Sequence, residues 1–390
     1  MKKVVLGEVC DFFNGGAWSD KEYVNEGIPV LKVTNCKSTG FQLDNLNYLS
    51  EKSREKYKKN NLIIGDVIVA TVGSHPNLIE SAAGRSCIVN SQVEGFYLNQ
   101  NAVCIRTKDK RILSQKYLGY LCKCADFQHY IQSRGRGAAN QMRIAISSIR
   151  EYSFILPDIE NQQYIADILS AYDDLIENNQ KQIKLLEEAA RRLYKEWFVD
   201  LRFPGHENTK IVDGVPEGWH RGTIGQIAEF KRGRTITKAQ VKEGNVPVIA
   251  GGLEPAYYHN VANTKAPVIT ISASGANAGF VRLYGVDVFA SDCSFVDGLG
   301  TESLFFVYEF LKESKVSIDQ LQKGSAQPHV YAKDINAMKI TIPEKEYLER
   351  FDGYAKVYFN KIKTLQGQNE RLKTARGLLL PKLMSGEVEV

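Results

Sequence analysis

An internal repeat constrains this chain more than any other feature. LGEVCDFFNGG at 6–16 recurs as IGQIAEFKRGR at 224–234, and GIPVLKV at 27–33 recurs as NVPVIAG at 245–251, both displaced by 218 residues. Gly7 therefore falls on Gly225, Phe12 on Phe230, Gly15 on Gly233 and Pro29 on Pro247. At the far end of each copy, ISSIREYSFILP at 146–157 matches AKDINAMKITIP at 332–343 with a displacement of 186, so the copies differ by 32 residues (218 − 186) of internal insertion. Like framework ends around unlike middles call for two modules with a shared scaffold and separate recognition surfaces.

Each copy is followed by a long amphipathic segment. Steps of four and three from Ile165 give Leu169, Tyr172, Ile176, Asn179, Ile183, Leu186, Ala190, Leu193 and Trp197, all but Asn179 apolar or aromatic. Adding 186 gives Phe351, Ala355, Tyr358, Ile362, Leu365, Asn369, Leu372, Arg376, Leu379 and Leu383. Two helices of matching period, each closing a repeat, are natural partners. If a pseudo-twofold axis relates the copies, the helices run antiparallel with a constant index sum. Asn179 with Asn369 gives 548, and so do their repeat-equivalents Leu365 and Ile183. The two amides are expected to face one another, or else to turn to solvent where the helix rotates. Pro157 and a capping Asp158 open the first helix, the Gly/Pro-rich stretch 203–219 follows it, and Pro381 and Gly386 are expected to stop the second.

Composition fits a globular protein, with 43% hydrophobic and 24% charged residues over 390. No long apolar run and no signal-peptide start is seen, which places the chain in the cytoplasm with no membrane partner. The seven cysteines are odd in number and scattered without a C-x-x-C pair, so reduced thiols are expected rather than disulfides or zinc. Charge is uneven. Residues 158–200 hold ten acids and five bases, whereas 1–157 hold 21 bases and 14 acids. Basic lobes on an acidic helix point to lobes that meet a polyanion. Within the lobes, β-rich runs at 62–73, 266–275 and 287–296 and helical patches at 111–131 and 302–315 give a mixed α/β reading.

The segments LPDIENQQYIADILSAYDDLIENNQKQIKLLEEAARRLYKEWFVD at 156–200, VPEGW at 215–219, GSAQPHVYAKDI at 324–335 and LLLPKLMSGE at 378–387 closely resemble the specificity (S) subunit of type I restriction-modification systems. The resemblance runs through almost the whole chain in order. It implies an α+β fold: target recognition domain 1 at 1–156, a conserved helix at 157–202, target recognition domain 2 at 203–342 and a second conserved helix at 343–390. The two recognition domains are then separated by a pair of long antiparallel coiled-coil helices. It further implies that each recognition domain reads one half of a bipartite double-stranded DNA site. Two modification (methyltransferase) subunits would dock to make an adenine methyltransferase, and restriction subunits would add translocation and cleavage. The family's S subunit has no catalysis and no cofactor of its own.

Four clusters are candidates for DNA contact. SRGRGAANQMR at 133–143 offers Arg134, Arg136 and Arg143 with Asn140 and Gln141, residue types that pair with guanine edges, phosphates and adenine. Its counterpart KGSAQPHV at 323–330 offers Lys323, Ser325, Gln327 and His329. FKRGRTITK at 230–238 contributes Lys231, Arg232, Arg234 and Lys238. The turns TVGSHPN at 71–77 and SASGANAG at 272–279 present Ser74, His75, Asn77, Ser274 and Asn277. A Gly/Asn-rich turn is most often only a turn, and a basic triplet can be a solvated face.

Catalytic signatures are lacking. There is no G-x-x-x-x-G-K-[ST], no H-E-x-x-H and no N-P-P-[FYW] or D-P-P-Y, PDIEN at 157–161 lacks a following E-x-K, and the six histidines show no metal-ligand spacing. The alternative to a DNA specificity subunit is a non-catalytic protein-interaction scaffold with two similar lobes on a coiled-coil spacer.

Overall fold

The computed structural model describes residues 2–37, 40–73, 83–137, 142–324 and 327–388. The chain packs into two compact units, one formed by Met1–Ile176 with Glu370–Val390 and the other by Glu177–Asn369. Each long helix is therefore divided between the units. Composition alone separates helices from lobes, whereas packing joins half of each helix to each lobe, because the lobes close their cores on helix side chains.

In the first unit, Lys2–Val5 runs antiparallel to Ser153–Leu156, with Lys2 opposite Leu156. A four-stranded sheet follows in the order Ser86–Ile88, Val67–Ala70, Ala102–Thr107, Cys10–Asn14. Val67–Ala70 is buried throughout, as a β-branched central strand covered on both faces should be. A second sheet sets Tyr97–Leu98 parallel to Ile28–Leu31, and Asn47–Leu49 antiparallel to it. Helices Gln115–Lys123 and Ala125–Ser133 cover the first sheet.

The second unit repeats this plan. His220–Thr223 pairs with Lys339–Ile342, with His220 opposite Ile342. Its sheet runs Lys231–Arg232, Cys293–Asp297, Val268–Ser272, Val281–Tyr284, and Val246–Ile249 pairs with Tyr257–His259 and Phe289–Ala290. Helices Leu304–Glu313 and Lys315–Gln320 follow. The repeat glycines have a steric cause: a Cβ on Gly15 would overlap the Asn99 carbonyl, and one on Gly233 would overlap that of Ser291.

The first long helix spans Ile159–Tyr194 and passes into a π-helical turn at Lys195–Val199. Asp158 caps its start, its Oδ1 accepting from Asn161 N–H at 2.8 Å. The second spans Lys345–Ser385 and runs through Pro381. The expected stop at Pro381 is thus corrected: the proline is exposed, and the turn beyond it buries Leu383 in the first unit's core. Gly386, at φ +76°, follows the last helical residue.

Along the seam, Ile165, Leu169, Ile176, Asn179, Phe351, Ile362, Leu365, Asn369 and Leu383 are buried, and Tyr172, Ile183, Leu186, Leu193, Tyr358, Leu372 and Leu379 are half-buried. In the first unit Ile165 and Leu169 share a core with Leu383. In the second, Trp197 meets Phe351 edge-on at 6.3 Å between ring centroids, and Asn179 Nδ2 donates to Asn369 Oδ1 at 2.9 Å. Index pairs 197/351 and 179/369 mean opposite chain directions.

Each lobe is also tied to the helices by polar anchors. Fully buried Gln162 accepts from Ser114 N–H at 2.8 Å and donates to the carbonyls of Ile112 and Pro157. Asp352 accepts from Phe305 and Phe306 N–H at 3.0 and 2.9 Å, capping the Leu304–Glu313 helix from outside. Burial pushes its carboxyl up to about 7, against the pull of those two amides. Asp173 gathers Tyr120 Oη at 2.8 Å, Lys123 Nζ at 3.6 Å and the Arg376 guanidinium. Burial would raise its pKa, but the two cations and the hydrogen bonds bring it below the ordinary value.

Candidate nucleic-acid interface

The described candidate arginines of the first lobe, Arg134, Arg136 and Arg143, lie at one end of its sheet. Strand Val67–Ala70 runs out at Thr71, which donates to the Asn101 carbonyl at 2.9 Å and accepts from Ile144 N–H at 2.8 Å. Val72–Gly73 then pairs with Met142–Arg143, while Arg136 and Arg143 exchange backbone hydrogen bonds at 2.9 and 2.8 Å. The segment carrying Arg136 and Arg143 thus rests on Val72–Gly73, the described start of TVGSHPN. The Arg136 and Arg143 side chains are exposed and have no ion-pair partner among the described residues. Arg134 is exposed too, but its guanidinium stacks on Tyr130 at 3.7 Å from the ring centroid. Ser74, His75, Asn77, Asn140 and Gln141 lie outside the described residues.

The second lobe builds the same device from other side chains. Lys323 and His329 exchange backbone hydrogen bonds at 2.9 and 2.8 Å, and His329 bridges to Ser274. His329 stacks on Tyr331 with centroids 6.0 Å apart. Ser274 Oγ donates to Asp292, and Asn277 Nδ2 donates to Gly251 O at 3.4 Å. The basic strand arrives at the same place: Gly233 N–H donates to Cys293 O at 2.8 Å, Arg234 N–H to Ala290 O at 3.0 Å, and Ile236 N–H to Ser291 Oγ at 3.3 Å. All three clusters of this lobe therefore converge around residues 290–293. Lys231, Arg232, Arg234 and Gln327 are exposed, with no side-chain partner among the described residues. Lys323 is not free, since its ammonium lies 2.8 Å from Asp334. Ser325 lies outside the described residues.

Sequence reasoning missed Asp292, Asp334 and the exposed Tyr331. No spacing rule links Ser274 to Asp292 or Lys323 to Asp334; only the fold brings them together. Elsewhere, all seven cysteines are free and buried, and burial pushes the thiols of Cys10, Cys124 and Cys293 up to about 12. Among the described residues, no group of three or more His, Cys, Asp or Glu is placed to hold a metal, and no helix is long and apolar enough to cross a membrane.

Comparison with known proteins decides the family. The model of the type I restriction modification DNA specificity domain matches residues 1–188 and again residues 216–373, one match for each copy of the repeat. The chain belongs to this family. The specificity subunit of the type I restriction enzyme HindI from Haemophilus influenzae is 22% identical over 461 residues, covering 96% of this chain and 96% of the relative. That of MjaIX from Methanocaldococcus jannaschii is 28% identical over 300 residues, covering 70% of this chain and 69% of the relative. The crystal structure of a type I restriction-modification S subunit from M. genitalium has the same fold at a TM-score of 0.61 and 19% identity, covering 98% of this chain and 96% of that one. As a specificity subunit, the chain carries two target recognition domains, and each arginine- or lysine-bearing hairpin lies within one of them.

Proposed function

We propose that this chain selects the DNA on which a type I restriction-modification complex acts in the cytoplasm, each recognition domain reading one half of a bipartite duplex site. The observation that supports this most is that both lobes set a hairpin on the equivalent framework strand beside exposed basic side chains, while the side chains around it differ. A common frame suits a common duplex, and different side chains suit unlike half-sites. Arg136, Arg143, Lys231, Arg232 and Arg234 supply charge for phosphates. Gln327, His329 and Asn277, with Ser74, His75, Asn77, Asn140 and Gln141, supply donors and acceptors for bases, and Ser274, its proton given to Asp292, can still accept. Unbroken helices support a role in setting the gap between half-sites, since 36 residues extend about 54 Å at ~1.5 Å each, longer than a ~34 Å turn of B-DNA. The acidic surface of 158–200 suits docking of two modification subunits rather than DNA, and restriction subunits would join through that complex. A partner's pocket would then methylate a flipped-out adenine.

A salt titration of duplex binding tests the reading. The logarithm of the binding constant should fall linearly with the logarithm of salt, by about 0.9 per contacted phosphate. Arg136→Gln/Arg143→Gln should lower that slope by up to about 1.8. A wild-type chain that binds without any salt slope would point to a protein scaffold instead.

A further inference from the structure

The two lobes differ between the strand that opens the second sheet and the strand that turns back beside it. In the first lobe fifteen residues, 32–46, separate Ile28–Leu31 from Asn47–Leu49; in the second only seven, 250–256, separate Val246–Ile249 from Tyr257–His259. Those seven, AGGLEPA, carry no Asn, Gln, Lys or Arg. The longer connection carries a short hairpin, Cys36–Lys37 against Gly40–Phe41. Its inward residues Val33, Cys36, Phe41 and Leu43 root in a core with Leu31, Ile68 and Cys87. Thr34 and Asn35, in the 3-10 turn Val33–Asn35, and Gln42, beyond the second short strand, point away from that core.

These outward side chains line a cleft of about 300 Å³ containing Lys32, Thr34, Asn35, Gln42, Asn45 and Asn47, with Asp44 at its wall. Internal hydrogen bonds fix its shape. Lys32 Nζ donates to Asn47 Oδ1 at 2.7 Å, Lys32 N–H to Asn35 Oδ1 at 2.9 Å, and Asn35 Nδ2 to the Gln42 carbonyl at 3.0 Å. Gln42 Nε2 donates to Asp44 at 3.3 Å. Capacity remains: the Asn45 amide, the Thr34 hydroxyl and Asn47 Nδ2 have no partner among the described residues. The cleft also opens at the end of the lobe that carries the arginine hairpin. Leu31 O accepts from Asn99 N–H at 3.0 Å, Asn101 O from Thr71 N–H at 2.9 Å, and Thr71 O from Ile144 N–H at 2.8 Å, so backbone hydrogen bonds at one sheet end step from the cleft to the hairpin.

We propose that this cleft is a base-reading surface for the half-site of the first lobe, with no counterpart in the second. The proposal rests on the DNA reading above and names a surface that reading does not use. The Asn45 amide matches the paired donor and acceptor on an adenine edge, and Asn47 Nδ2, on a side chain already held by Lys32, adds a donor that loses little freedom on binding. The charges argue against a phosphate site: one lysine and one carboxylate offset each other, which leaves neutral amides in the majority. The cleft reads bases and contributes nothing to the salt slope.

The test is selection from a duplex library with randomised bases, using the full-length chain and an Asn45→Gly/Asn47→Ala variant. Asn45→Gly alone is the second variant, since glycine suits the φ of +57° at that position and leaves the Lys32–Asn47 bond intact. Wild type should enrich two separated blocks of sequence. Both variants should lose base preference at one or two positions of one block, by about tenfold or more, with the other block and the salt slope unchanged. Enrichment of the same sequence in both blocks by the variants would overturn the proposal while leaving the DNA reading standing. An unselective wild-type pool would overturn the DNA reading itself.

Discussion

Replacing Asn369 with leucine leaves the Asn179 amide facing hydrocarbon. Asn179 is 7% exposed and Asn369 5%, and among the described residues Gln368 Oε1, a marginal 3.5 Å from Asn179 Nδ2, is the other side-chain group near the pair. An unsatisfied buried amide costs about 1–3 kcal/mol, whereas replacing both partners by apolar groups can be nearly neutral. Asn369→Leu or Asn179→Leu alone should therefore destabilise the second unit by about 2 kcal/mol, and the double variant should recover wild-type stability or exceed it. The coupling between the two positions should then be about 4 kcal/mol, the sum of the two single losses that the double variant does not show. Trp197 and Trp219 both lie in the second unit, so a Trp18→Phe background makes tryptophan fluorescence report on that unit alone. Urea unfolding of the four members of the cycle gives the coupling directly. Simple addition of the two single losses would refute the view of the pair as one buried unit.

Other expectations concern buried charge and the second hairpin. Glu309 is 3% exposed, with Lys312 and Glu313 on its own helix and Glu187 and Arg191 on the first long helix around it, and burial pushes it up to about 8. Its folded pKa lies above the ordinary 4.5, so its contribution to stability is complete below about 4.5 and is lost as pH rises through about 8. Unfolding at about pH 5 and about pH 9 should show less loss of stability across the window for Glu309→Gln than for wild type, and parallel losses would count against the assignment. Asp334→Asn should release the Lys323 ammonium and steepen the salt slope of duplex binding by up to about 0.9; an unchanged slope would mean that Lys323 does not reach a phosphate.

The framework was legible because it was written twice. The displacements of 218 and 186 residues carry Lys2–Val5 onto His220–Thr223 and Ser153–Leu156 onto Lys339–Ile342, register included. The helix seam was legible because its period persists over many turns. What escaped depends on contacts distant in sequence. Pro381 looked like a stop, but tertiary burial of Leu383 keeps the helix going beyond it. The 32–46 connection passed unnoticed because its strands are two residues long and show no period. Lys323 and Ser274 looked available, and only the fold reveals the carboxylates of Asp334 and Asp292 beside them.

The most direct test of the division of labour is an exchange of residues 1–157 for the matching segment of another family member, expressed with modification subunits, followed by mapping of N6-methyladenine in the host DNA. One half of the methylated motif should change, while the other half and the spacer length stay as they were. A change in both halves, or in the spacer, would contradict an account in which each lobe reads its own half and the helices alone set the gap.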